Sequence, residues 1–144
     1  MTERTEQFRN CAVGGYLICL LVSLITLGHV TAQDDPPRVD VAIQVTSGIV
    51  NPNFAFEDPN DLDTLRSLIR GLPAAPEVDE PQFGSFLLSA DEARCQFPER
   101  VVVFDGTIKA TTADGTVRFL KDNKGLEQFL RDSAVARGLG QFLP

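Results

Sequence analysis

Apolar residues are arranged in two different ways along this chain. Cys11–Val30 is an almost unbroken apolar run, with Leu17, Ile18, Leu20, Leu21, Val22, Leu24, Ile25 and Leu27 at its centre. It follows a short polar start, Met1–Asn10, that carries Arg4 and Arg9. Beyond Pro36-Pro37 the apolar residues become periodic instead. Val39, Val41, Ile43 and Val45 alternate with Asp40, Ala42, Gln44 and Thr46, which predicts a strand over Val39–Thr46 with one buried face. Asn51-Pro52-Asn53 is a turn-forming cluster, and Phe54 and Phe56 follow on one side of a short extended segment.

The period then changes. Leu62, Leu65, Leu68, Ile69 and Leu72 recur at three-and-four spacing, which predicts an amphipathic helix. Asp58 or Asn60 can cap its start, and Gly71 and Pro73 mark its stop. Pro73–Pro81 reads as a loop of proline, alanine and acidic residues, and Gln82–Ser89 as a second strand. Asp91–Pro98 reads as an irregular connection. Arg100–Thr112 reads as a long strand interrupted by a bulge or tight turn at Asp105-Gly106. Ala113-Asp114-Gly115 predicts a hairpin into Thr116–Leu120. Asp122 or Asn123 can cap a last helix striped by Leu126, Phe129, Leu130 and Ala134, with Gly138 at its end. The order β-α-β-β-β-α predicts an α+β domain, a small antiparallel sheet with two helices on one face.

The apolar run decides where that domain works. A spanning helix needs roughly 20 apolar residues, and Cys11–Val30 meets that length. Val30-Thr31-Ala32 presents the small residues a signal peptidase reads, ahead of an acidic, proline-rich exit at Gln33–Pro37. Residues 1–32 therefore read either as a signal peptide or as a retained membrane anchor. Both readings put the rest of the chain on the outer side of a membrane, secreted, periplasmic or anchored. Residues 33–38 form a linker, 39–137 one domain and 138–144 a short apolar tail.

Charge and rare residues then narrow the function. The formal net charge is −7, and Glu3 and Glu6 cancel Arg4 and Arg9. The excess therefore lies in the exported part, an acidic surface that excludes nucleic acid as the expected partner. Membrane contact is expected only through residues 1–32. Cys95 is the only cysteine beyond the apolar run, so the mature chain has no internal disulfide. It is buried, or free and reactive, or it links two copies into a dimer. The only histidine, His29, lies in the apolar run. Without an imidazole the domain lacks Ser–His and Cys–His pairs and histidine zinc sites. Glu57, Asp58, Asp61 and Asp63 do not follow a calcium-loop spacing and fit a helix start. No catalytic residue, cofactor or metal is expected, and the chain reads as a non-enzyme. The candidate partner-binding residues are Asn51, Pro52, Asn53, Phe54 and Phe56, a polar corner beside aromatics that could equally plug the core. The loop Pro73–Gln82 and an exposed sheet edge are further contact candidates.

The run Thr46-Ser47-Gly48-Ile49-Val50-Asn51-Pro52-Asn53-Phe54, the helix ending Gly71-Leu72-Pro73 and the closing Leu126-Glu127-Gln128-Phe129-Leu130 resemble small uncharacterised exported α+β proteins. These carry Ser-Gly-x-x-Asn-Pro followed by an aromatic, and the resemblance implies no assigned activity. The element order more loosely resembles bacterial protease-inhibitor domains of the emfourin kind. The expected function is a non-catalytic protein-binding domain. Inhibition of an extracellular protease and a structural subunit of a membrane complex are the alternatives.

Overall fold

In the computed structural model, residues 35–45 and 50–143 are described. The apolar run, the signal or anchor reading and the first part of the linker lie outside them, as do Thr46 at the end of the expected first strand and Ser47, Gly48 and Ile49 of the Ser-Gly-x-x-Asn-Pro motif. Six strands form one antiparallel sheet: β1 Val39–Gln44, β2 Asn53–Phe56, β3 Ser85–Ala90, β4 Arg100–Phe104, β5 Thr107–Thr111 and β6 Val117–Lys121. Their spatial order is β2-β1-β3-β4-β5-β6. Of two eleven-residue helices, α1 Pro59–Ile69 lies between β2 and β3 and α3 Leu126–Ala136 follows β6, with a one-turn helix α2 at Glu92–Cys95 between β3 and β4. The fold is α+β as predicted, with more elements than the expected β-α-β-β-β-α. The short extended segment is a true strand, β2. The long strand Arg100–Thr112 divides in two, because Asp105 and Gly106 both take positive φ (45° and 70°), the geometry of a two-residue hairpin turn. The second strand starts at Ser85, later than expected, because Gly84 (φ 76°) turns the chain just ahead of it. Among the described residues no helix is long and apolar enough to cross a membrane.

Strand register sorts every side chain to one of two faces. Val39, Val41 and Ile43 pair with Ala90, Leu88 and Phe86, and the last two of these with Val101 and Val103. Ile108 and Ala110 continue the row on β5. This first face meets Leu62 and Leu65 of α1 and Leu126, Leu130 and Ala134 of α3 in the hydrophobic core. Phe56 stacks on Phe129 at 5.5 Å between ring centroids. Leu139, Phe142 and Leu143 of the tail pack against the same core.

Side chains fix the helix ends. Asp58 accepts from Asn60 N at 2.8 Å, and Pro59, which has no N–H to satisfy, opens the helix. Asp122, one of the two cap residues expected, accepts from the main-chain N–H groups of Gly125, Leu126 and Glu127 at 2.9, 2.9 and 2.8 Å. Lys124 Nζ closes the other end of α1 through the carbonyls of Ser67 and Arg70 at 3.1 and 2.5 Å. Glu127 reaches back to Gly106 N at 2.9 Å and ties the β4–β5 turn to α3.

The second face has no helix. Val102 and Phe104 point to it by register, yet they are 0% and 6% exposed and stand apart from the main core. The segment that covers them is the predicted loop after α1. Its start lies along β6, where Ala75 N donates to Phe119 O and Lys121 N to Pro73 O (2.8 and 2.9 Å). Its end enters β3, where Gly84 N donates to Gln44 O at 2.8 Å. Between these, Glu80 takes both arms of Arg100, at 2.6 and 3.2 Å, and Lys109 Nζ at 3.1 Å. Residues 73–84 thus form a strap from β6 across β5 and β4 to β3. The Arg100 guanidinium, with help from Lys109, holds the Glu80 carboxyl below its ordinary value.

Two measurements check this account. Asp122→Ala removes three capping bonds and should cost about 1–2 kcal/mol, read as a lower urea midpoint at unchanged slope. Glu80 is more acidic folded than unfolded. Its stabilising contribution is therefore complete above the unfolded value of 4.5 and is lost as pH falls through the lowered folded value. Glu80→Gln should be less stable than wild type at neutral pH, and the gap between the two urea midpoints should close as acid is added.

Candidate functional site

Half of the second face is open. The strap crosses β4–β6, leaving β2, β1 and the outer part of β3 bare. A depression of about 290 Å³ lies there, lined by Arg38, Asp40, Ala42, Asn53, Leu87 and Ser89, with the Val41 backbone at its base. The register explains the grouping: Asp40 pairs with Ala55 on one side and Ser89 on the other, and Ala42 with Asn53 and Leu87. All therefore share one face. The hollow exists because Ala42 and Ser89 are small beside their longer neighbours.

Arg38 closes one end of the depression. It donates to Asp40 at 2.8 Å and to Glu57 at 2.9 Å, joining the start of β1 to the end of β2. Asp40, then Glu57, hold the guanidinium charge more firmly than usual. Both pairs are more than half exposed, so they orient side chains and contribute little stability.

The edge beside the depression is unpaired main chain. Ile43 N donates to Pro52 O at 2.9 Å, which makes Ile43 and Pro52 a hydrogen-bonded pair. In an antiparallel ladder such pairs alternate with non-bonded ones. Val41–Phe54 and Val39–Phe56 are therefore bonded, whereas Asn53 and Ala55 direct their N–H and C=O groups away from β1. No described strand lies beyond β2.

The five candidate residues divide by position. Asn51 and Asn53 are exposed; the Asn51 amide oxygen also accepts from Val45 N at 3.2 Å and so shapes the corner. Pro52 is half-buried, and its carbonyl serves the β1 ladder. Phe54 is half-buried beneath the Arg137 guanidinium, 4.9 Å from its ring centre. Phe56 is 1% exposed and sits in the core, because β2 turns it to the same side as Val39. Its place is the plug, not the contact surface. Two features went unread in the sequence. Val50, 89% exposed at the same corner, showed no pattern to distinguish it. The depression had a signal in the polar half of the first alternation, Asp40 and Ala42, but its depth depends on neighbours distant in sequence.

The other chemical candidates are occupied structurally. Cys95 is 1% exposed, and its Sγ lies 3.2 Å from the Arg38 carbonyl, to which it donates. From this position a disulfide between copies would require local opening first. Arg94 neighbours it in sequence, but Arg100 is committed to Glu80. Three of the four acids at the start of α1 have separate partners: Glu57 takes Arg38, Asp58 caps the helix and Asp63 takes Arg66 at 2.6 Å. Among the described residues no group of three or more histidine, cysteine or acidic side chains is placed to hold a metal. The Asp114 carboxyl is held low, at about 2, by the Thr112 hydroxyl and the Thr116 amide. It is spent on the hairpin turn, which those bonds close at 2.6 and 2.9 Å.

Comparison with protein-family models, with curated proteins and with solved structures finds no match to this chain.

Replacing the two aromatics of β2 separates plug from surface. Phe56→Ala should cost about 3–5 kcal/mol, as expected for a fully buried aromatic, whereas the half-exposed Phe54→Ala should cost clearly less, both measured by urea unfolding.

Proposed function

We propose that this chain is a non-catalytic protein-binding module, exported or held at a membrane by residues 1–32, that takes an extended segment of a partner protein along β2. The single observation that carries this reading is the outward direction of the Asn53 and Ala55 main-chain groups on an edge strand with a depression beside it. An added strand would satisfy those donors and acceptors, and strand addition obtains its affinity from such main-chain bonds. Side chains of an extended segment alternate between faces. Those on the second face would enter the depression over Ala42 and Ser89. Those on the first would meet Phe54 and Arg137. Val50 and Asn51 would meet the segment at the corner.

The apolar run with its Val30-Thr31-Ala32 site supports the export reading. The lack of any histidine beyond His29 supports a non-catalytic one.

Ala55→Pro tests the proposal without disturbing the ladder to β1. It removes only an outward N–H, and proline is tolerated on a free strand edge. A displayed library of unstructured peptides is selected on the wild-type chain, and the selected peptides are then titrated against both proteins. The expected result is a loss of about tenfold or more in affinity on Ala55→Pro, with slowed amide exchange at Asn53 and Ala55 in the wild-type complex. Peptides that bind both proteins equally, that protect amides elsewhere, or that cannot be selected at all would overturn it.

A further inference from the structure

We propose that the strap over the second face is a hinged cover, latched by Glu80, that opens while both of its ends remain in the sheet. The ends and the middle are held by different forces. Main-chain bonds fix Pro73 and Ala75 to β6 and Gly84 to β1. Between them, among the described residues, no main-chain hydrogen bond ties 76–83 to the sheet. The middle is held instead by one carboxylate shared between Arg100 on β4 and Lys109 on β5.

Beyond the cover it gives Val102 and Phe104, the strap's own apolar side chains do little to reinforce that attachment. The two large apolar side chains of the strap, Val78 and Phe83, are 41% and 42% exposed. Residues 76–79 are exposed throughout, and Glu80 and Pro81 are only half-buried. Three prolines, Pro73, Pro76 and Pro81, stiffen the segment, so it is suited to moving as a piece between a fixed start and Gly84, whose φ of 76° makes the turn into β3. What it covers is apolar. Glu80 bridges Arg100 and Lys109 beside Val102, because Lys109 is the register partner of Val102 and Arg100 precedes it by two residues on the same face. Phe119 lies across Lys109, whose ammonium is 5.8 Å from the ring centre. Closed, the latch charges meet one another; open, Arg100 and Lys109 are released to solvent and Val102 is uncovered.

The opened face has a definite neighbour. Val102 pairs with Leu87, which lines the open depression. Lifting the strap would extend the floor of the depression from β3 onto β4, turning a shallow hollow into a broad apolar wall. This use of the open state rests on the partner-binding reading above, whereas the opening itself does not.

Glu80→Gln in the full chain tests the opening directly. The fold is monitored by amide exchange in β1 and β3, the cover by limited proteolysis within 76–83 and by fluorescence of an apolar dye. The expected result is a rise in strap cleavage and dye binding severalfold greater than the rise in β1 and β3 exchange, which follows only the loss of global stability. Wild-type protein in high salt, which screens the Glu80 pairs, should move in the same direction. Cleavage and dye binding equal to wild type, or a rise no larger than that of β1 and β3 exchange, would overturn the latch. Neither readout depends on a partner, so this result and that of Ala55→Pro can fail independently.

Discussion

The arrangement depends on one asymmetry in β1 and β3: their first-face residues, Ala90 apart, are large and apolar, and their second-face residues, Leu87 apart, are small or polar. Val39, Val41, Ile43, Phe86 and Leu88 are at most 1% exposed, and burying such side chains is the main favourable contribution to folding. Both long helices therefore pack on the first face. Asp40, Ala42, Gln44, Ser85 and Ser89 supply little apolar area to attract a second layer. The second face turns apolar at Leu87 of β3 and at Val102 and Phe104 of β4, and over β4 the chain adds a strap in place of a helix. The open depression is where the demand for cover stops.

The two sheet edges are treated differently. The outer side of β6 is occupied over Phe119–Lys121 by Pro73 and Ala75, which removes part of one free edge. The other edge, β2, is only four residues long and is followed closely by Pro59. A short edge near prolines resists open-ended strand pairing between copies. It still leaves two residues, Asn53 and Ala55, with outward N–H and C=O groups, enough for a short extended segment.

Local patterns were readable and distant pairings were not. The alternation of Val39–Thr46, the helix stripes at Leu62–Leu72 and Leu126–Ala134, and the capping role of Asp122 depend on residues close in sequence, and each element appears near its expected place. Asp105-Gly106 was ambiguous between bulge and turn because the choice lies in φ, and a positive value at Asp105 is not dictated by its residue type. Phe56 could be core or contact until strand order placed β2 beside β1. The strap was legible only as a loop, since nothing in Pro73–Pro81 indicates that Glu80 will meet Arg100 and Lys109, 20 and 29 residues away. The candidate surface was half legible for the same reason: its corner was visible in Asn51-Pro52-Asn53, but its depression is assembled from three strands.

The insertion of β1 between β2 and β3 has a consequence for how the molecule forms. β4, β5 and β6 are a meander of short turns, whose contacts close quickly. β1 pairs with β2 across a short loop, but its other neighbour begins at Ser85, whose hydroxyl meets the Gln44 side chain 41 residues away in sequence. A chain growing from its N-terminus therefore holds a two-stranded ribbon with the main-chain groups of one β1 border unpaired until the third strand is made. Joining that ribbon to the meander is the slow, entropically costly step, and during that interval the chain is most open to mispairing with its neighbours.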